Sequence, residues 1–300
     1  MKRFGIIFVL SSLLTSLVVG CQPPFQPGTY TDDLNRSVSI NKIPERIVSH
    51  VPSITETLFA LGLGERVVGR SDFDDYPEEA KLKPSIGNYF NPSIEKIVAL
   101  DPDLVLTDGH SKNIKQLDSL NITYLVIDPK DIDDIYKNIE LVGKVTGVER
   151  KAGKLIDDMK NTVSRVQSQV NDAPKARVIY LIDATDLNNP WTVGPDSLVN
   201  ALITMAGGEN IAAKVPNTYA QLSIEQIIDF NPEIIILPGK HGTAFTAPQA
   251  LKEHPAWQKT SAVKHDSIPI INADLVDRSG PRLVQGLEEL AKIIHTELYQ

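Results

Sequence analysis

The sequence predicts an α/β protein built as two parallel-sheet lobes bridged by one long rigid α-helix, with a ligand cleft between the lobes. Three observations predict it. Short apolar runs alternate with amphipathic stretches in both halves of the chain, the pattern of parallel strands covered on both faces. One much longer amphipathic stretch lies between the halves. A segment of the first half also recurs in the second at a constant offset.

The elements follow in order. Lys2 and Arg3 precede a charge-free run from Phe4 to Gly20, the layout of an export signal, so residues 1–20 read as a signal peptide. Cys21 follows at once. It is the only cysteine in 300 residues, so neither an intrachain disulfide nor a Cys-based zinc site can form. Leu17-Val18-Val19-Gly20-Cys21 resembles a bacterial lipobox, which implies cleavage before Cys21 and lipidation of its sulfur. Cleavage there leaves 280 residues with a net charge of −10, exported and held at the outer face of the cytoplasmic membrane or in the periplasm. Pro23, Pro24, Pro27 and Gly28 cannot form a helix, and residues 21–43 read as a lipidated tether and N-terminal extension.

The first lobe is expected over 44–146. Arg46–Ser49, Arg66–Gly69, Asp103–Leu106 and Tyr124–Ile127 are short apolar strands. Ser53-Ile54-Thr55-Glu56 reads as a capping box opening a helix that buries Leu58, Phe59 and Leu61 and stops at Gly62. A second helix runs from Ser93 to the Asp101-Pro102 stop. Over 147–172, Val148, Ala152, Leu155, Met159, Val163, Val166 and Val170 recur at three- and four-residue steps. Roughly 24 residues at about 1.5 Å each give a helix of about 36 Å, longer than one small lobe needs. Asn171-Asp172-Ala173-Pro174 ends it, and Arg177–Ile182 restarts the alternation in a second lobe over 173–300. A helical connector predicts little lobe motion.

The repeat is the strongest signal. Asn91-Pro92-Ser93-Ile94-Glu95 through Leu106 aligns with Gln221-Leu222-Ser223-Ile224-Glu225 through Ile236, so that Glu225 falls 130 residues after Glu95. Tyr89 and Tyr219 each stand six residues before the glutamate. Gly109-His110 and Gly239 with His241 follow the matched strands. Ligands of open α/β sheets lie beyond the carboxyl ends of the strands, where Tyr89, Tyr219, His110 and His241 could face a shared cleft. Ser before a first-turn Glu is also plain helix capping. His50, His110 and His241 each follow a strand. They could ligate cobalt, haem iron or a bare metal ion, or simply bond backbone groups; with neither HxH nor HExxH spacing, no metal site is assigned.

Composition narrows the classes. The chain is 42% hydrophobic, 23% charged and 6% aromatic, ordinary for a globular protein. A net charge of −8 argues against a nucleic-acid partner. No Gly-x-Ser-x-Gly elbow or phosphate loop is present, and Gly62-Leu63-Gly64 closes a helix instead of following a strand, so no enzyme is indicated.

Arg46–Glu56, Ala60–Gly64, Val67–Gly69, Asp75-Tyr76-Pro77, Asn91–Glu95, Gly207–Asn210 and Ser279–Arg282, in this order, resemble the class III periplasmic-type solute-binding proteins. These carry vitamin B12, ferric siderophores or haem to ABC importers, and the resemblance is nearest to the vitamin B12-binding members. It implies that Glu95 and Glu225 dock on the permease dimer, which works with its ATPase. Tyr89 and Tyr219 match aromatic positions where vitamin B12 binders use tryptophan; Phe73 and Trp191 match two more. Asp274 and Arg278 match polar ligand contacts. His50 stands where the family usually has an apolar residue. Among transported ligands a corrinoid (cobalamin) ranks first, because Arg278 is the only cation assigned to the cleft. A ferric siderophore ranks second and haem third.

Overall fold

The computed structural model describes residues 25–110, 113–239 and 248–299. The signal peptide, Cys21 and His241 lie outside the described residues. Two β-hairpins, β1 (Gly28–Thr31) with β2 (Ser37–Ile40) and β5 (Gly87–Asn88) with β6 (Asn91–Pro92), flank a four-stranded sheet. That sheet contains β3 (Ile47–Ser49), β4 (Val67–Gly69), β7 (Leu104–Thr107) and β8 (Tyr124–Val126) in the order β4-β3-β7-β8, all parallel. Residues 28–40, read above as part of an N-terminal extension, are thus folded. Buried Asp32 accepts the backbone N–H of Val126 and ties the hairpin to β8.

The second sheet contains β9 (Arg177–Asp183), β10 (Trp191–Val193), β11 (Glu209–Asn210), β12 (Tyr219–Gln221), β13 (Ile234–Gly239) and β14 (Ile270–Asn272). Its path is β12-β10-β9-β13-β14, with β11 beside β9. The expected parallel sheet forms the core of this lobe, with one antiparallel strand added at its side. The β9-β13-β14 core and β11 are parallel, but β10 runs antiparallel to both β9 and β12. The chain returns from β9 to β10 through only 184–190, too short for the crossover that a parallel neighbour requires.

Alternation along the strands splits the core. Ile47, Leu104, Leu106 and Leu125 face one apolar cluster, while Val48, Val105 and Val126 face another. Val178 and Tyr180 join that same first cluster from β9, and Ile179 and Leu181 face a third. Each sheet is therefore covered on both faces, and the shared cluster joins the two lobes.

The connecting helix spans Glu149–Val170 and contributes Ala152, Met159, Val166 and Val170 to the shared cluster. It packs on the helix Ile132–Thr146 before it and on Leu283–Ile294 from the second lobe. The preceding helix ends at Gly147, whose φ of +73° is the left-handed cap that turns the chain within two residues. The connector is thus held along its apolar stripe by both lobes. Among the described residues no helix is long and apolar enough to cross a membrane.

Candidate functional site

An open cleft of about 750 Å³ lies between the lobes, at the carboxyl ends of the parallel strands. Asp108 and His110 follow β7, Ile127–Lys130 follow β8, and Ala273 and Asp274 follow β14. The first-lobe wall is aromatic. Tyr89 and Phe90 form the tip of the β5-β6 hairpin, and their rings meet edge-on with centroids 4.9 Å apart. Phe73 meets Phe90 in the same way at 6.4 Å. Tyr219, at the start of β12 and 60% exposed, lines the opposite wall.

Tyr89 is fixed from behind. His50 is fully buried and stacks on its ring at 5.4 Å. The His50 Nε2 bonds the Tyr89 carbonyl oxygen at 2.7 Å, and Nδ1 bonds Thr107 Oγ1 at 2.8 Å. Burial pushes the His50 imidazole below its usual pKa, so a neutral ring is favoured. With both nitrogens engaged by neighbours, His50 supports the wall from outside the cleft lining. The Tyr89 hydroxyl donates to Asp108, and burial together with that carboxylate raises the phenol pKa well above normal. His110 does line the cleft, with Nε2 3.5 Å from Asp128. Among the described residues no group of three or more His, Cys, Asp or Glu is placed to hold a metal ion.

The polar lining is acidic. Asp108, Asp128, Asp196, Asp274 and Asp277 line the cleft against two cations, Lys130 and Arg278, among the described residues. Both cations are already paired: Lys130 Nζ sits 2.5 Å from Asp128, and Arg278 bonds Glu56, Asp75 and Asp274. Asp277 is exposed as a residue, yet desolvation of its carboxyl and the nearby Asp274 charge raise it to about 6, against the Tyr180 hydroxyl that donates to it.

Of the six residues matched to ligand contacts, Phe73, Tyr89, Tyr219, Asp274 and Arg278 come together in the cleft. Trp191 does not join them. It lies on β10, opposite Gln221 of β12 and Asp183 of β9, with 42% of its surface exposed. Asp183 is the last residue of β9, so Trp191 sits at the carboxyl end of that strand without lining the cleft. Sequence reasoning missed Phe90, Asp108 and Asp277. Phe90 is 76% exposed beside Tyr89, and a solvent-facing aromatic next to a candidate residue was the available signal.

The Ser53–Glu56 capping box also needs correction. The helix is Pro52–Ala60, its N-cap is Val51, and no side chain caps it. Pro52 opens the first turn, moving the start earlier, and Glu56 is turned inward to meet Arg278 and Arg282.

Glu95 and Glu225 behave alike. Each is exposed in the first turn of a short helix, Ile94–Ala99 and Ile224–Phe230, after a capping serine. The backbone amide of Glu95 and the Ser93 hydroxyl hold the Glu95 carboxyl below its usual pKa.

Residues 47–275 match the periplasmic binding protein family. An ABC transporter substrate-binding lipoprotein of Bacillus subtilis is 33% identical, and the alignment covers 100% of both chains. The solved vitamin B12-binding protein of Vibrio cholerae is 27% identical, with a TM-score of 0.72, over 86% of this chain and 99% of that one. A haem-binding protein of Roseiflexus is also 27% identical, with a TM-score of 0.76, over 85% and 99%. The aromatic cleft between two α/β lobes and these matches agree: this chain belongs to the periplasmic binding protein family, whose members bind solutes and are not enzymes.

Proposed function

We propose that the protein captures a corrinoid in its interlobe cleft and delivers it to an ABC importer, held at the outer face of the membrane through Cys21. The acidic, ring-walled lining carries this reading. Five aspartates facing two already paired cations form a cleft that disfavours anionic ligands such as haem, with its two carboxylates, or an anionic ferric siderophore. A corrin periphery is rich in neutral amides whose N–H groups suit carboxylate acceptors. Phe73, Tyr89, Phe90 and Tyr219 supply faces for its flat apolar surface. The raised pKa of Tyr89 also makes that phenol a poor ferric ligand. Glu95 and Glu225, one per lobe and both exposed, are the residues we assign to docking on the permease dimer, which its ATPase drives.

The test is titration of the purified chain with cyanocobalamin, haemin and ferric siderophores of either charge, followed by absorption and calorimetry. Stoichiometric binding of cyanocobalamin with no comparable binding of haemin is the expected result. Tight binding of haemin or a ferric siderophore without binding of corrinoid would replace the ligand assignment.

A further inference from the structure

Beside the cleft, and outside its lining, one carboxylate ties the two lobes together. Glu56 belongs to the first-lobe helix Pro52–Ala60, and its side chain is 2% exposed. Arg282 of the second lobe grips it with a fork, Nε to Oε2 at 2.8 Å and Nη2 to Oε1 at 2.6 Å. Arg278, also from the second lobe, reaches the same Oε1 at 3.1 Å and Asp75 of the first lobe at 2.8 Å. The Arg282 guanidinium lies 3.8 Å over the ring of Tyr76, again across the boundary. Beside this cluster Gly280 lies against the Ser53 backbone so closely that an added Cβ would sit 3.2 Å from the Ser53 carbonyl oxygen. The second-lobe turn that carries both arginines is therefore seated on the start of the Glu56 helix.

From this geometry we infer that Glu56 is a positioning residue that sets the width of the cleft, and through it the affinity for ligand. Arg278, with its partner Asp274, belongs to both the ion cluster and the cleft lining. Glu56 holds Arg278 and Arg282 side by side although they carry like charge. Without its carboxylate, two nearly buried guanidiniums face each other with less compensation, and the lobes part at this edge. The fork geometry matters as well as the charge, since a lysine at 282 offers a point charge and no planar pair of donors. The affinity part of this inference rests on the cleft being the ligand site proposed above; the cleft-width part does not.

The experiment uses the mature chain with Cys21→Ser, which removes the only native cysteine. Spin labels go on Val98→Cys and Asp229→Cys, exposed positions on the Glu95 and Glu225 helices. Interlobe distances are read without ligand, in the parent and in Glu56→Gln and Arg282→Lys. Affinities are then read for cyanocobalamin, haemin and ferrioxamine B. We expect Glu56→Gln to broaden or lengthen the distance distribution and to weaken whichever probe the parent binds by at least tenfold. Arg282→Lys should do the same to a smaller degree, which keeps the test available if Glu56→Gln fails to fold. An unchanged distance in both variants, or a changed distance with affinity retained, overturns the inference. If the parent binds haemin or ferrioxamine B and not cyanocobalamin, the corrinoid assignment falls while the distances and the other probe still judge Glu56; if it binds none, the distances alone judge it.

Discussion

Tyr89 and Tyr219 hold the same place in the internal repeat, six residues before a first-turn glutamate, yet their surroundings differ. Tyr89 is wedged between His50 and Phe90, and its hydroxyl is bonded to Asp108. Tyr219 stands 60% exposed on an edge strand. The first wall of the cleft is a pre-set surface and the second a freer ring. The local sequence is copied between the halves, but the neighbours that fix a ring come from distant strands. His50 and Asp108 lie 39 and 19 residues from Tyr89 along the chain.

What the halves share most closely is the exposed glutamate, so the largest effect should come from removing both copies. Glu95→Ala with Glu225→Ala should abolish ligand delivery in a reconstituted importer while leaving ligand affinity unchanged. Each single variant should retain partial delivery, because one lobe still docks. Full delivery by the double variant would end the docking assignment.

Asp74 and Asp277 should separate the lobes by pH, because the first is buried and the second exposed at the cleft. Burial raises Asp74 to about 6, against hydroxyl and amide donors from Ser71 and Thr55. Its carboxyl binds a proton more tightly folded than unfolded. The stabilising contribution is therefore complete below about pH 4 and is lost as pH rises through about 6, on the order of 3 kcal/mol. Thermal midpoints of Asp74→Asn, followed from pH 4 to 8, should gain on the parent as pH rises, and Asp277→Asn should gain less, because solvent screens its carboxylate. Bound ligand should alter this only for Asp277, which lines the cleft. A gap between variant and parent that is constant across the range would contradict the shifts.

The rings themselves come next. Tyr89→Ala should weaken ligand binding by about 1–3 kcal/mol, if stacking is worth what it is on nucleobases, and Tyr219→Ala should cost less. The asymmetry follows from preorganisation: a fixed ring loses little freedom when ligand arrives, while an exposed one must be ordered. Equal losses in calorimetric titration would show that the packing behind Tyr89 contributes nothing to affinity.

Local signals were legible in the sequence and long-range partners were not. The helix stop at Gly62, the serine caps at 93 and 223, the connecting helix and most strands follow from residue spacing of a few positions. Five of six matched ligand-contact residues were brought together, because motif order encodes where the strands end. Glu56 was misread because Ser-x-x-Glu spacing satisfies a capping pattern, while Arg282, 226 positions away, decides where the carboxylate turns. Trp191 stands beside the last residue of β9 and is not among the lining residues, and periodicity within a strand does not carry which strand-end side chains reach the cleft.

The smallest effect tests whether the copied caps are equivalent. Ser93 and Ser223 both accept from the third residue of their helices, at Lys96 and Gln226. Only the second is reciprocal, since the Gln226 side chain accepts from the Ser223 backbone N–H at 2.9 Å. At the first, the Ser93 hydroxyl instead donates to Glu95 at 2.9 Å and so steadies the proposed docking carboxylate. Loss of either serine to alanine should cost about 1 kcal/mol, read from urea midpoints. Gln226→Ala should cost a further fraction in the second lobe, whereas Lys96→Ala should cost nothing at the cap, because its side chain forms no part of it. Ser93→Ala alone should also reduce delivery, by freeing the Glu95 carboxylate to sample more rotamers. Equal delivery in Ser93→Ala and Ser223→Ala would mean that the cap serves the helix and leaves the glutamate's docking role untouched.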